Sequence, residues 1–298
     1  MRELPEQSMK IVVCVKQIDL IYARTGVNPA NHFISEEDRI PMVNPYDELA
    51  VEEAIRIKES LKEGQVILVS LGDLSAEKAL KRCLAMGADR LIQVYDPSFV
   101  SLDPWSSSVI LARAVEKLEP DLVLCGKEAL DDNGGQVSAY VSELLGFPYI
   151  SSVVKADVFL HERKATVQRA LGKGDKEVVE SEIPVLLSVE KGMNEPRYPT
   201  LPNLLWAIDQ KIECWDREFL GLQASDFRPM TEVVQIEYPR PRPKNIAVPD
   251  SQLNGFERVL WLLSGSRTER KGSLLEGAPE TLASEIIRFL IEKGIVEA

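Results

Sequence analysis

Apolar runs alternate with amphipathic stretches over the first half of the chain. Short runs rich in valine, isoleucine and leucine, typical of buried strands, occupy residues 10–18, 65–73, 90–96 and 121–129. Longer stretches with apolar residues every three or four positions predict helices over 44–61, 75–87, 103–118 and 134–146. Strands that alternate with helices predict a doubly wound α/β fold, with a mostly parallel sheet covered on both faces.

The predicted helix starts carry capping signals. Asn44 stands at the cap position of the first helix, Pro45 fits its first turn, and Asp47 suits the positive end of the helix dipole. Ser75 is the predicted cap of the second helix, and Asp103 precedes the third. These residues predict where the helices begin.

The pattern changes after residue 147. Apolar and polar residues over 155–171 and 182–192 predict strands that extend the sheet with antiparallel members. The stretch 278–296 has the spacing of an amphipathic helix. We therefore predict a nucleotide-binding α/β domain over 1–224, followed by a C-terminal extended arm and helix over 225–298.

A stiff apolar loop is predicted within residues 191–207. Pro196, Pro199 and Pro202 recur every third position, and proline fixes φ and removes a hydrogen-bond donor. Residues 197–202 are therefore excluded from a helix interior and from a central strand. The side chains between and beyond the prolines are nevertheless apolar, namely Tyr198, Leu201, Leu204, Leu205 and Trp206.

The composition and net charge of the chain argue against several classes of partner and binding site. The net charge of −12 disfavours nucleic acid and anionic membranes as partners, so a bound phosphate would depend on main-chain amides and local dipoles. The chain has two histidines, which argues against a metal site, and no apolar run of the roughly 18 residues that span a bilayer. Four cysteines without a CxxC motif, and a start that lacks an apolar signal core, predict reduced thiols and a cytoplasmic protein.

One segment, 126–148, has the order of a nucleotide site: strand end, turn and helix start. Gly134 and Gly135 permit close approach of the backbone to a ligand, and the N–H groups of 135–138 would form an anion pocket. Ser138 adds a hydroxyl to that pocket, whereas Asp131 and Asp132 would repel phosphate unless they face away. Taken alone, the segment is more typical of a glycine-rich turn with an ordinary cap than of a nucleotide site, and the standard phosphate-binding and hydrolase motifs are absent.

Other segments meet this one in the predicted fold. Cys14, residues 44–47 and Leu71 fall at or just after the carboxyl ends of predicted parallel strands. Ligands of such sheets bind in the crevice at that edge. The sequence therefore predicts one crevice built from four places in the chain.

Nearly the whole chain resembles the beta subunit of electron-transfer flavoprotein. The resemblance is carried by five segments, of which the last is highly specific: KIVVCVKQI, NPYDELAVEEAIRIKE, CLAMGADR, LVLCGKEALDDNGGQ and NEPRYPTLPN. It implies a sheet of the adenine nucleotide alpha-hydrolase-like type without hydrolase activity. It also implies a heterodimer with an alpha subunit that shares the redox FAD, and no catalysis by side chains.

The resemblance also implies a nucleotide in the beta subunit, AMP in ordinary members and a second FAD in electron-bifurcating members. Carried over by residue, its pocket consists of Cys14, Asn44, Pro45, Tyr46, Asp47, Leu71, Glu128, Ala129, Leu130, Asp131, Asp132, Asn133, Gly134, Gly135, Gln136, Val137, Ser138 and Ala139. Asp132 is as in AMP-type members, Val137 is more like the bifurcating group, and Ser138 departs from a glycine common to both. We expect AMP, with a second FAD as the alternative.

Partners follow from the same resemblance. The segment with NEPRYPTLPN includes a recognition loop that inserts a leucine into a partner dehydrogenase, which makes Leu201 the predicted anchor and Tyr198 a rigid contact. We expect Leu204, Leu205 and Trp206 to pack beneath the loop. Electrons would arrive from an acyl-CoA dehydrogenase and leave to a membrane quinone oxidoreductase.

Three further expectations remain open. Arg169 matches an arginine placed near the flavin edge, although a surface-strand arginine without a role is at least as compatible with the sequence. Residues 225–298 would contact the alpha subunit. The rival functions are a bifurcating, NADH-dependent subunit and a nucleotide-binding module of the universal-stress type.

Overall fold

The structure is a computed structural model that describes residues 8–21, 38–234, 253–263 and 277–292. It divides into two compact units, Met1–Glu237 and Tyr238–Ala298. The predicted division at 224/225, and the contact of the second part with an alpha subunit, stay predictions. None of the helices within the described ranges is long and apolar enough to cross a bilayer.

A nine-stranded sheet forms the centre of the first unit, in the order β11-β5-β4-β1-β6-β10-β7-β8-β9. The strands of the unit are β1 Lys10–Cys14, β2 Gln17–Ile21, β3 Arg39–Val43, β4 Gln65–Leu71, β5 Arg90–Val94, β6 Leu122–Gly126, β7 Tyr149–Phe159, β8 Lys164–Gly172, β9 Asp175–Glu182, β10 Val185–Val189 and β11 Glu213–Trp215. Pairing is parallel from β11 through β7 and antiparallel from β7 to β9. The predicted fold class is confirmed, but β10 is parallel rather than antiparallel.

Helices cover both faces of the sheet. They are α1 Pro45–Leu61, α2 Glu77–Met86, α3 Pro104–Glu116, α4 Val137–Leu145, α5 Leu201–Asp209 and α6 Arg217–Leu220 in the first unit, with α7 Gly255–Leu263 and α8 Pro279–Glu292 in the second. Residues of α1 and α2 enter one apolar core and residues of α3 and α4 the other. The predicted tail helix is confirmed as α8, whereas α7 was not predicted.

The predicted first strand, 10–18, is shorter than expected. β1 ends at Cys14, and β2 pairs antiparallel with β3 in a separate two-stranded sheet. The break falls at Lys16, whose main-chain N–H donates to the Asp47 carboxylate at 2.8 Å and whose carbonyl accepts from Asn44 at 2.9 Å. The apolar pattern continues through the break because β2 also buries Ile18.

The predicted cap positions hold at two of the three helix starts. Asn44 is the N-cap residue of α1, as predicted, but its side chain makes no capping hydrogen bond. Ser75 lies inside a short 3₁₀ turn, whose cap is Asp73, and α2 begins only at Glu77. The third start is confirmed, because Asp103 and Ser106 form a reciprocal capping box at α3. At α1 the Asn44 side chain bonds instead to the main chain of Glu128 and Leu130, and before α2 the neighbouring Asp73 caps the turn.

Candidate functional site

A cavity of about 510 Å³ opens at the carboxyl ends of β1, β4, β5 and β6. The predicted residues that line it are Cys14, Asn44, Asp47, Leu71, Glu128, Ala129, Asp132, Gly134, Gly135, Gln136, Val137 and Ser138. The predicted residues outside the lining are Pro45, Tyr46, Leu130, Asp131, Asn133 and Ala139. The four predicted places in the chain are thus brought together at one edge of the sheet.

One wall of the cavity was not predicted. It is formed by the end of β5 and the loop to α3, with Val94, Tyr95, Phe99 and Leu102 among its residues. Phe99 also packs edge-on against Phe227, with ring centroids 5.2 Å apart. One feature of the sequence could have indicated this wall. Two large apolar residues, Phe99 and Leu102, lie in the loop that follows the parallel strand β5. This wall adds apolar side chains to a cavity that is also lined by the polar turn before α4.

Asp47 joins two strand ends beneath the cavity. Its buried carboxylate accepts hydrogen bonds from the main-chain N–H of Lys16 at 2.8 Å and of Gly126 at 3.0 Å. Burial raises the pKa of Asp47 to about 7, although the main-chain hydrogen bonds act to lower it. A Cβ at Gly126 would lie 2.2 Å from Asp47 Oδ1 and 2.7 Å from Tyr46 Cβ, so this strand end requires glycine.

Asn44 and Tyr46 hold the turn that follows β6. Asn44 Nδ2 donates to the carbonyl of Glu128 at 2.9 Å, and Asn44 Oδ1 accepts from the N–H of Leu130 at 3.3 Å. The Tyr46 hydroxyl donates to Glu128 Oε1 at 3.3 Å. The first turn of α1 therefore fixes the path of the chain towards α4, which explains why Asn44 does not cap its own helix.

The start of α4 presents its main chain to the cavity. Its N-cap residue, Gln136, makes no side-chain capping hydrogen bond. Gly135 has a φ of +60°, and a Cβ there would lie 3.4 Å from the carbonyl of Lys127. The buried Ser138 hydroxyl lies 3.0 Å from the hydroxyl of Tyr149. An uncapped helix start that borders a cavity is suited to an anionic group.

The carboxylates of the acidic turn before α4 form ion pairs with a lysine. Lys16 Nζ lies 2.8 Å from Asp131 Oδ2 and 3.3 Å from Asp132 Oδ2. Asp132 Oδ1 also accepts from the N–H of Gly134 at 2.9 Å. Lys16 was not among the predicted site residues, although its position directly after β1 places it at the same edge.

A second surface is built on the middle of α1. We call residues 194–209 the docking segment. Arg197 fixes it, because its N–H and Nε donate to the buried carboxylate of Glu52 at 3.1 and 2.8 Å, and its Nη atoms donate to Glu59 at 2.6 and 2.9 Å. Burial acts to raise the pKa of Glu52, but hydrogen bonds from Arg197 and Arg56 outweigh it and leave that pKa lowered.

Asn194 supplies a second attachment of the docking segment. Its Nδ2 donates to the carbonyl of Leu49 at 3.1 Å and to Glu53 Oε2 at 2.9 Å. Burial raises the pKa of Glu53. These attachments were not predicted, although Glu52 and Glu59 lie about two turns apart on one helix face. They show that the NPYDELAVEEAIRIKE and NEPRYPTLPN segments bind each other.

The docking segment exposes most of its apolar side chains. The predicted loop is wrong from Leu201 onward, because Leu201–Asp209 form α5 and Pro202 is accommodated in its first turn. Tyr198 is 86% exposed and Leu201, the first residue of α5, is 68% exposed. Leu204 packs against the core as predicted. The prediction is wrong for Leu205 and Trp206, which are exposed. α5 packs on α2 through the face that carries Leu204 and the buried Ala207, and the neighbouring positions therefore face outward.

Arg169 lies on β8, away from the cavity lining. Its Nη2 donates to Ser151 Oγ at 3.4 Å, and its Nη1 lies 3.9 Å from Glu177. Its Nε is buried without a hydrogen-bond partner among the described residues. A position near the flavin stays a prediction for this residue.

The sequence of the chain is similar to those of known proteins. Residues 32–215 match the family described as the electron transfer flavoprotein domain. The chain is 34% identical over 215 residues to the caffeyl-CoA reductase-Etf complex subunit CarD of Acetobacterium woodii, covering 72% of this chain and 80% of the relative. It is 36% identical over 204 residues to an electron transfer flavoprotein subunit beta of Thermoanaerobacterium thermosaccharolyticum, covering 68% and 76%.

A third relative, the protein FixA of Azotobacter vinelandii, is 31% identical over 258 residues, which cover 82% of this chain and 89% of the relative. The similarity thus extends over most of both chains in each comparison. The chain belongs to the electron transfer flavoprotein beta subunit family, whose members associate with a flavin and with an alpha subunit.

Proposed function

We propose that this chain is the beta subunit of a heterodimeric electron carrier that holds AMP in its cavity. It accepts electrons from an acyl-CoA dehydrogenase-type flavoenzyme through the docking segment. They pass through the FAD shared with the alpha subunit to a membrane quinone oxidoreductase or a similar acceptor. The observation that carries the proposal is that α1 serves both sites: Asn44 and Asp47 build the cavity, and Glu52 and Glu59 hold the docking segment.

The cavity suits an adenylate at both ends. Leu71, Phe99 and Leu102 provide apolar walls for a flat base. The main chain at the start of α4 provides N–H groups for the phosphate, and Gly135 keeps side-chain atoms away from that approach. A nucleotide held this way has a structural role, because its binding joins the ends of several strands to one helix.

The residues of this chain position groups and do not form bonds. FAD supplies the electron-transfer chemistry when it is bound, and the protein supplies binding and orientation. Leu201 and Tyr198 offer an apolar surface to a partner, and the ion pairs of Arg197 fix that surface before docking. A pre-ordered surface loses less conformational entropy on binding than a mobile one. We place the complex in the cytoplasm, since all four cysteines are free thiols.

A second candidate function is a bifurcating, NADH-dependent complex with a second FAD in the cavity. It is favoured by the similarity to a subunit of a caffeyl-CoA reductase-Etf complex. The apolar wall formed by Tyr95, Phe99 and Leu102 would accept a larger ligand in the same place. We favour AMP because the carboxylate of Asp132 borders the cavity, where it would lie close to an isoalloxazine ring.

Extraction of bound nucleotides tests the proposal. The full chain is co-expressed with its alpha subunit, purified without added nucleotide and denatured, and the released AMP and FAD are quantified by chromatography. One FAD and one AMP per heterodimer are expected. Two FAD and no AMP would replace the AMP proposal with the bifurcating one. A complex with one FAD and no AMP would contradict the assignment of the cavity.

A further inference from the structure

We propose that Lys16 determines the affinity of the cavity for the phosphate of an adenine nucleotide, and that Asp131 weakens this affinity from outside the cavity. The proposal rests on the proposed function and adds a residue that the predicted site did not contain. It applies to AMP and FAD alike, because both carry a phosphate on the adenosine.

The lining of the cavity is acidic. Its charged side chains in the described part of the chain are the lysines at 16 and 127 and six carboxylates, at Asp47, Asp73, Asp96, Asp103, Glu128 and Asp132. Like charges in a partly enclosed cavity repel an incoming phosphate. Main-chain N–H groups at the start of α4 carry only partial charges. A cation at the phosphate end of the cavity therefore adds to the binding that these N–H groups provide.

Of these two lysines, Lys127 already forms an ion pair with Glu190. Its Nζ lies 2.5 Å from Glu190 Oε2, and Glu190 is not part of the lining. This hydrogen bond is the first cause of the raised pKa of Lys127, which keeps the lysine charged and paired. Lys16 is paired differently, because its partners lie on the turn that leads directly to the proposed phosphate position.

The backbone of Lys16 is fixed at the rim of the cavity. Its N–H donates to Asp47 and its carbonyl accepts from Asn44. Its side chain is 43% exposed, and its Nζ contacts Asp131 at 2.8 Å and Asp132 at 3.3 Å. A half-exposed ammonium on a flexible stem exchanges partners at low cost. The main chain of Lys16 therefore has a fixed position, and its side chain is able to rotate from the carboxylates towards a phosphate.

Asp131 and Asp132 compete with the phosphate for the same ammonium group. Asp132 borders the cavity, so its replacement would also change the lining. Asp131 lies outside the lining and contacts Lys16 through its side chain. Removing the charge of Asp131 leaves the cavity wall unchanged and leaves Asp132 as the remaining carboxylate partner of Lys16. Loss of Lys16 weakens phosphate binding, whereas loss of the Asp131 charge strengthens it.

Calorimetric titration of the nucleotide-free heterodimer with AMP and with adenosine tests both expected changes in affinity. Lys16→Met is expected to raise the Kd for AMP about tenfold, the effect of losing one charge-assisted hydrogen bond. Asp131→Asn is expected to lower it about threefold, as for an exposed ion pair. Neither change alters the Kd for adenosine, which lacks the phosphate. Lys16→Arg, which keeps the charge, restores most of the AMP affinity.

Lys155→Met is the matched control, because it removes the same charge from an exposed pair with Asp157 outside the cavity and leaves both constants unchanged. The role of Lys16 is overturned if Lys16→Met binds AMP as tightly as the wild type, or loses adenosine and AMP equally. A wild-type complex that binds neither AMP nor FAD in the cavity overturns the proposed function as well. If extraction yields two FAD, the same titration is run with FAD.

Discussion

The same helix, α1, holds the cavity mainly through main-chain contacts and the docking segment mainly through ion pairs. At the cavity, buried side chains of α1 bond to main-chain groups, as Asp47 does with Lys16 and Gly126. At the docking segment, Glu52 and Glu59 bond mainly to the guanidinium of Arg197, with one main-chain bond from the Arg197 N–H to Glu52, and most of the apolar groups remain exposed. A small ligand needs fixed walls, whereas a protein partner needs an accessible surface with a fixed base.

This difference has a consequence for mutations. A change among the main-chain contacts of the cavity should disturb the strand ends and the nucleotide together. A change in the ion pairs of the docking segment should affect the partner and leave the nucleotide in place. The two regions share α1, so only changes that unfold this helix should affect both.

Gly126→Ala is expected to have the largest effect. The added Cβ would lie 2.2 Å from Asp47 Oδ1, so the carboxylate or the strand end has to shift. We expect the free energy of unfolding to fall by about 3 kcal/mol, as for overpacking in a core, and the nucleotide to be lost. Chemical denaturation and nucleotide extraction measure the two effects.

Gly72→Ala is the control for this change. Gly72 also lines the cavity, but a Cβ there meets no atom within 4 Å. It should leave the free energy of unfolding close to that of the wild type. Equal losses for both variants would show that the cavity is not organised around Asp47 and Gly126.

Arg197→Met is expected to have an intermediate effect on stability and a selective effect on function. It leaves the buried Glu52 with Arg56 as its remaining ion-pair partner and frees Glu59. We expect a loss of about 2 kcal/mol, the cost of removing hydrogen bonds to a charged group. Electron transfer from the dehydrogenase should slow, and the nucleotide content should not change.

Arg113→Met removes an exposed pair with Glu116 and serves as the control. It should alter neither stability nor electron transfer by a measurable amount. Nucleotide loss in Arg197→Met at unchanged helix content would mean that the two regions are coupled through α1, against the comparison above.

Leu201→Ala is expected to have the smallest effect on stability, within about 0.5 kcal/mol, because the side chain is exposed. Its effect on docking is larger, since burial of a leucine against a partner contributes about 1.5–3 kcal/mol. We expect the rate of reduction by the dehydrogenase at limiting concentration to fall about tenfold. Leu144→Ala, at another exposed leucine, should leave that rate unchanged. Equal rates for Leu201→Ala and wild type would remove Leu201 as the anchor.

The regular elements were largely predictable because each carries its own periodic signal. The continuous apolar run of β4 and the capping box of α3 are local features. The convergence of Cys14, Leu71 and the turn after β6 also followed, since parallel strands place their carboxyl ends at one edge. The end of β1 was not predictable, because it depends on Asp47 and Asn44 from a helix later in the chain.

The contacts between side chains were the main feature of the structure that the sequence did not predict. Nothing local shows that Arg197 pairs with Glu52, or that Lys16 pairs with Asp131. The exposure of Leu205 and Trp206 was mispredicted for the same reason, since it depends on which face of α5 meets α2. Apolar composition alone does not distinguish a supporting residue from one that faces solvent.

The sequence by itself indicated the alternation of strands and helices over residues 44–146, the edge of the sheet where the predicted site residues meet, and the restricted backbone at the prolines of the docking segment. These follow from periodicity, proline geometry and the chirality of parallel connections. Only the tertiary structure decided which charges neutralise one another and which apolar side chains stay exposed. Those outcomes depend on distances between residues far apart in the chain, and a single sequence does not contain such distances.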